Sequence, residues 1–336
     1  MKIVIDAFGG DYAPIEPIKG ARLSRDKFGC DIVLSGNEEK IRKVAGENGI
    51  DLSDIDVVDA ASVITMEDDP KSVLKAKSDS SMAVGLKCLS GGNADAFISA
   101  GSTAALLMGG TFIVKRIKGV ARPALACAIP GMKGYTLIID CGANTECRPE
   151  MLSQFGFMGA KYMQNVLGVR NPRVGILSNG TETTKGTDLQ RQAYAIMKDD
   201  QRINFVGNVE GRAICLSECD VVVTDGFTGN ITLKTLEGLG KMVGSKLKET
   251  VFGSTRAKIG AAFMAKELKG LAKTLDYREV GGAPFIGLRK PVIKAHGNSN
   301  AKMFAAAVNQ AIKWAGSDTT EAIEEAFSEE KAESDD

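Results

Sequence analysis

The residues best suited to chemistry lie in five short loops: 6–11 (DAFGGD), 99–103 (SAGST), 140–144 (DCGAN), 178–182 (SNGTE) and 225–230 (DGFTGN). Glycine lets backbone N–H groups come close to an anion, and a helix starting just beyond adds the positive end of its dipole. One such loop alone is more often a plain turn. Five of them, each following an apolar run, point to a ligand that carries phosphate or a carboxylate. The candidate binding residues are Asp6, Gly9, Gly10, Asp11, Ser99, Gly101, Ser102, Thr103, Asn144, Gly180, Thr181, Asp225, Gly226, Thr228, Gly229 and Lys294. Asp6 and Asp225 end apolar runs, where a carboxylate is costly unless it holds loop N–H groups or serves a site. Lys185, between Gly180 and Gly186, suits an anion contact or a plain surface position. Asn230 suits a helix N-cap or a substrate contact. His296 is the sole histidine and follows another apolar run.

Several classes of chemistry are excluded. No G-x-G-x-x-G follows a strand-like run, so the usual dinucleotide fingerprint is missing. The stretch 180–186 (GTETTKG) resembles a phosphate-binding loop, but its Lys precedes the second Gly and the required order fails. There is no G-x-S-x-G elbow. One His rules out a His-rich metal site and leaves a single partner for any Ser–His or Cys–His pair. The seven Cys have no zinc-like spacing, so no metal is expected. With 42 basic and 42 acidic side chains, nothing favours general nucleic-acid binding.

The elements that must hold these loops follow from the apolar pattern. Strands are expected over 2–7, 31–36, 94–101, 135–141, 173–178, 203–207, 220–225 and 291–295. Helices are expected over 38–47, 102–115, 149–167, 189–199, 231–250 and 300–314. The strand runs are apolar almost throughout, which suits strands covered on both faces and hence a mostly parallel, doubly wound α/β sheet. The longest uncharged stretch, 96–114, is interrupted by Gly, Ser and Thr and reads as strand, turn and helix rather than a membrane span. The start of the chain lacks a secretory pattern, so a reducing cytoplasmic setting is expected. At 336 residues and 44% hydrophobic, the chain has ample material for a core.

Two regions break the alternation. Residues 234–278 read as a helical hairpin interrupted at 252–254, with a local excess of five positive charges when the adjoining Glu279 is counted. Val251, Phe252, Ile259, Phe263 and Met264 would form an apolar tip among basic residues, suited either to packing between subunits or to an anionic membrane surface. Residues 317–336 form an acidic tail of net charge −8, whose last ten residues are expected to fray. The remaining 1–316 read as one α/β unit. From the residues alone this is an α/β enzyme acting on an anionic small molecule.

Taken in order, the segments 6–14 (DAFGGDYAP), 98–106 (ISAGSTAAL), 116–123 (RIKGVARP), 140–144, 179–186 (NGTETTKG), 205–210 (FVGNVE), 220–237 (DVVVTDGFTGNITLKTLE) and 290–299 (KPVIKAHGNS) resemble the bacterial phosphate acyltransferases of the PlsX type. The resemblance covers residues 1–314. It implies a three-layer α/β/α sandwich like that of isopropylmalate dehydrogenases and phosphotransacetylases. It also implies transfer of a long fatty acyl group from acyl carrier protein to inorganic phosphate, giving acyl phosphate for phospholipid synthesis. A homodimer associated peripherally with the membrane is implied too, with no cofactor. Lys185 and Asn230 match the family pattern and are expected to carry activity; His296 or Lys294 would assist departure of the thiolate. Tyr12 stands where the family usually has His, so a cation is lost there. Ser102 replaces an Asn and keeps a hydrogen-bonding group but no amide. Two other readings stay open: a binding module for acyl groups or carrier protein that has kept the fold, and a decarboxylating dehydrogenase.

Overall fold

The computed structural model describes residues 1–267, 270 and 281–334. Eleven strands form one sheet: β1 (Lys2–Asp6), β2 (Asp31–Ser35), β3 (Asp56–Val58), β4 (Ala96–Ser99), β5 (Ala124–Gly131), β6 (Gly134–Ile139), β7 (Arg173–Leu177), β8 (Asn204–Val209), β9 (Val221–Val223), β10 (Ala283–Ile286) and β11 (Val292–Lys294). Their order is β3-β2-β1-β4-β11-β10-β5-β6-β9-β7-β8. All neighbours are parallel except around β10 and β5, each of which is antiparallel to both its neighbours. Two parallel half-sheets therefore run in opposite senses, and their carboxyl ends approach the β10–β5 seam from opposite directions. The polar loops therefore lie on two edges that meet at the seam, not on the single edge that a wholly parallel sheet would give.

The helices are α1 (Ile15–Phe28), α2 (Glu38–Glu47), α3 (Ser81–Ser90), α4 (Thr103–Gly109), α5 (Pro149–Asn165), α6 (Asp188–Asp199), α7 (Arg212–Leu216), α8 (Gly226–Phe252), α9 (Thr255–Phe263), α10 (Ala301–Ala315) and α11 (Thr319–Ser334). They lie on both faces of the sheet. In β1, Ile3 and Ile5 join the core beneath α1 and α10, while Val4 joins the core beneath α3 and α4. In β6, Leu137 and Ile139 face α5, and Ile138 faces α7 and the start of α8. Burial on both faces is the reason these strands carry apolar residues at consecutive positions.

Several helix starts are fixed by side chains that accept backbone N–H groups. Asn37 caps α2, Ser80 caps α3, Ser102 caps α4, Asp225 caps α8 and Asn300 caps α10. The expected single helix over 102–115 divides at Gly110, where a π-helical turn runs from Gly110 to Lys115. The hairpin expected over 234–278 begins as α8 and α9, whereas residues 268, 269 and 271–278 lie outside the described residues. The acidic tail expected over 317–336 carries a helix, α11, with two core anchors: Ile323 is fully buried, and Phe327, the first of the ten residues expected to fray, packs edge-on against Phe157 with ring centroids 5.3 Å apart. Its acidic composition concealed these two anchors, which lie four residues apart on one helix face.

Candidate active site

The loops after β1, β4 and β11 are tied together before any ligand is considered. Asp6 is 1% exposed, and its carboxylate accepts from Ser99 Oγ at 2.6 Å and from the Phe8 N–H at 3.1 Å. Ser99 Oγ in turn accepts the Gly101 N–H at 3.0 Å. Burial raises the Asp6 pKa, and hydrogen bonds from Ser99 and Ser81 oppose that shift. Asp11 N–H reaches the Gly297 carbonyl at 2.8 Å. Gly10 makes this contact feasible: its φ is +98°, and a Cβ there would stand 2.8 Å from the Gly297 oxygen and 2.9 Å from the Ala100 Cβ. Asp6, Gly9 and Ser99 thus form a floor, and Gly10, Asp11, Gly101, Ser102 and Thr103 face the cavity above it.

Lys294 and His296 enter from the end of β11. The Lys294 ammonium donates to the Ala100 and Ala295 carbonyls at 3.1 and 2.5 Å, leaving one hydrogen for the cavity. Burial pulls its pKa down to about 8, against the opposing pull of the Asp11 charge. Burial likewise lowers the pKa of His296, whose buried Nδ1 has no hydrogen-bond partner.

The opposite wall is held by a buried carboxylate that the sequence reading left off its list of site residues. Asp140 is fully buried and accepts five hydrogen bonds: from the N–H groups of Leu125, Gly142, Ala143 and Asn144, and from Asn144 Nδ2. Burial raises its pKa and these donors oppose the rise. Asn144 spends its amide on Asp140 and the Pro123 carbonyl, and its own carbonyl accepts the Gly226 N–H at 2.7 Å. Asp225 caps α8 through the Thr228 N–H and hydroxyl, both at 2.8 Å. Gly229 fits because a Cβ there would collide with the Asp140 carbonyl oxygen. Asn144, Asp225, Gly226, Thr228 and Gly229 therefore support the wall without lining it. Asn230 is exposed in the cavity on the first turn of α8; the N-cap role is taken by Asp225.

Between these walls lies a cavity of about 680 Å³. Its polar end carries Ser102, Thr103, Lys294, His296 and Asn230, and its apolar side carries Val63, Ile64, Met66, Leu125, Ile129 and Leu233. Sequence reasoning missed the apolar side, along with Lys234 and Glu237 on α8. Those residue types announce packing, and only the fold turns them toward a ligand. Lys185, Gly180 and Thr181 are not brought to this cavity. Lys185 is exposed on the loop between β7 and α6, where its N–H bonds the Glu182 carbonyl and its stem packs on Gly180. Phe252, Ile259, Phe263 and Met264 are exposed on α8 and α9, with Phe263 at 86%, whereas Val251 is half-buried. Among the described residues no group of three or more His, Cys, Asp or Glu could hold a metal, and no helix is long and apolar enough to cross a membrane.

The fold is similar to that of a phosphotransacetylase from Streptococcus pyogenes, which superposes with a TM-score of 0.66 at 17% identity over 94% of each chain. The class is an acyltransferase of α/β sandwich fold. The match to the family model described as "Fatty acid synthesis protein" spans residues 1–322. The phosphate acyltransferase of Clostridioides difficile is 44% identical, with 98% of this chain and 96% of that one aligned. The phosphate acyltransferase of Caldicellulosiruptor saccharolyticus is 45% identical, with 98% and 99% aligned. The chain belongs to the phosphate acyltransferase family, which settles the open class in favour of an enzyme.

Proposed function

We propose that this enzyme moves a long fatty acyl group from the thioester of acyl carrier protein to inorganic phosphate, giving acyl phosphate for phospholipid synthesis. The observation that carries the reading is the two-sided cavity, with anion-binding glycine loops and a lysine at one end and an apolar wall beside them. Phosphate is largely ionised at neutral pH and needs no general base to attack. Its oxygen adds to the thioester carbonyl, the C–O bond forms, and the tetrahedral oxyanion collapses with loss of the C–S bond. The glycine-loop N–H groups, Ser102 and Thr103 bind and orient the phosphate, and the Asn230 amide stabilises the oxyanion. Lys294 gives its free proton to the departing thiolate; a pKa of about 8 lies close to that of a thiol, which favours the transfer. His296 stands beside it as a neutral hydrogen-bonding group. No metal or cofactor enters this scheme.

The test is release of free thiol from palmitoyl-acyl carrier protein with and without phosphate, with the acyl phosphate trapped by hydroxylamine. Phosphate-dependent release supports the reading, and carrier-protein binding without release overturns it. The same reading assigns the row Leu239, Met242, Val243 and Leu247, each 45–56% exposed on α8, to contact between two copies of the chain. It assigns the Phe252–Met264 tip to anionic lipid at the inner face of the membrane. Phe252→Asp with Phe263→Asp is expected to abolish binding to phosphatidylglycerol vesicles; unchanged co-sedimentation would remove the lipid assignment.

A further inference from the structure

We propose that Cys127 and Cys141 form an oxidisable dithiol in the cavity wall, which a hydroperoxide closes to a disulfide that stops turnover. In the β5–β6 ladder Cys127 stands opposite Ile138. Just past the end of β6 the chain folds back, so that Cys141 Sγ donates to the Ile138 carbonyl at 3.4 Å. Cys141 and Ile138 are buried in one apolar cluster, and Cys127 packs against it. The two cysteines therefore lie beside the same residue, 138, and both line the cavity. Cys141 is only 2% exposed, so Cys127 is the sulfur that an oxidant meets first. Ile129 and Leu233 flank the pair and form an apolar surface that admits a neutral peroxide and disfavours charged thiophiles.

Exposure assigns the two roles. Burial holds the Cys141 thiol well above its ordinary range and its S–H is spent on the Ile138 carbonyl, whereas Cys127 is only half-buried in the cavity wall. The Cys127 sulfur attacks one peroxide oxygen, the O–O bond breaks, and the departing hydroxide or alkoxide takes up the Cys127 proton. The resulting sulfenic acid is attacked by the Cys141 sulfur; the S–O bond breaks and water leaves with the Cys141 proton. Two electrons pass from the sulfurs to the peroxide, and a thiol reductant reverses the change. Inhibition rests on the acyl-transfer reading of the cavity. Cys141 begins the loop in which Gly142 faces Asn230, close enough that a Cβ on Gly142 would stand 3.6 Å from the Asn230 Cβ. Fixing Cys141 to β5 moves that loop and, with it, Asn230, the residue that stabilises the oxyanion.

The full-length protein is treated with hydrogen peroxide, desalted, alkylated with iodoacetamide and mapped by peptide mass, with thiol release assayed in parallel. Expected is a loss of two hydrogens, a peptide joining Cys127 to Cys141, and loss of most activity that dithiothreitol restores. Cys215→Ser, which alters an exposed thiol, is expected to respond as the parent does. Alkylation of both Cys127 and Cys141 after peroxide, or sulfinate on Cys127 with no joined peptide, overturns the inference. So does an equal, dithiothreitol-reversible loss of activity in Cys141→Ser. The peptide map reads the disulfide even if phosphate-dependent release is absent, so the failure of this inference and that of the acyl-transfer reading are told apart.

Discussion

Two sets of glycine-rich loops, alike in composition, do different work. The loops of the first half-sheet, 6–11, 99–103 and 294–297, present backbone N–H groups, hydroxyls and an ammonium to the cavity. Those of the second, 140–144 and 225–229, turn their polar side chains inward: Asp140 onto four backbone N–H groups, Asp225 onto Thr228, and Asn144 onto Asp140 and Pro123. The second set exists to hold Asn230 and the Cys141–Gly142 edge in place. What separates the sets is how much of each polar side chain remains unspent after the local hydrogen bonds are made.

Mutations can break this contrast. Asp140→Ala is expected to have the largest effect, and on stability rather than chemistry. It leaves buried N–H groups without an acceptor and costs about 3–5 kcal/mol, read from the urea midpoint. Lys294→Met should fold and bind carrier protein, yet lower kcat/KM by about 100-fold, roughly 2.7 kcal/mol in the barrier. Its sign with pH follows from the lowered pKa: the proton donor is present below about 8 and lost above it. Parent kcat/KM should therefore fall on the alkaline side with a pKa near 8, and that limb should vanish in Lys294→Met. Gly10→Ala forces a Cβ into the left-handed region against Gly297 and Ala100, which is expected to cost about 1–3 kcal/mol in Tm-derived stability and to raise the KM for phosphate. Lys185→Ala is the smallest change. An unaltered Tm with a KM for phosphate raised about tenfold would keep it as a phosphate contact, in the range of a charge-assisted hydrogen bond. Near-normal turnover at every phosphate concentration would remove it from the site.

Much of the fold was legible because strands buried on both faces carry unbroken apolar runs; β1, β2, β4, β7, β9 and β11 lie inside the expected ranges, and β6 and β8 overlap theirs. Three strands were not. β3 is three residues long, β5 ends in Pro130 and Gly131, and β10 begins directly after two glycines, so each is masked by turn-forming residues. The cost was specific, because β5 and β10 form the seam and supply part of the apolar wall. The polar half of the site was legible from Gly10, Ser102, Asn230, Lys294 and His296, whose types advertise chemistry. Val63, Ile64 and Leu233 advertise only burial, and nothing local distinguishes a core methyl group from one that faces an acyl chain.

The order of the strands in the sheet also has a consequence for biosynthesis. β4 and β5 follow one another in the chain, yet β11 and β10 lie between them in the sheet. Until residues 283–294 have left the ribosome, each half-sheet presents an unpaired edge to the other and to every other chain nearby. The last two strands to be made are the ones that close both edges. A ribosome that stalls shortly before them would release two nearly finished half-sheets with sticky borders and no completed cavity.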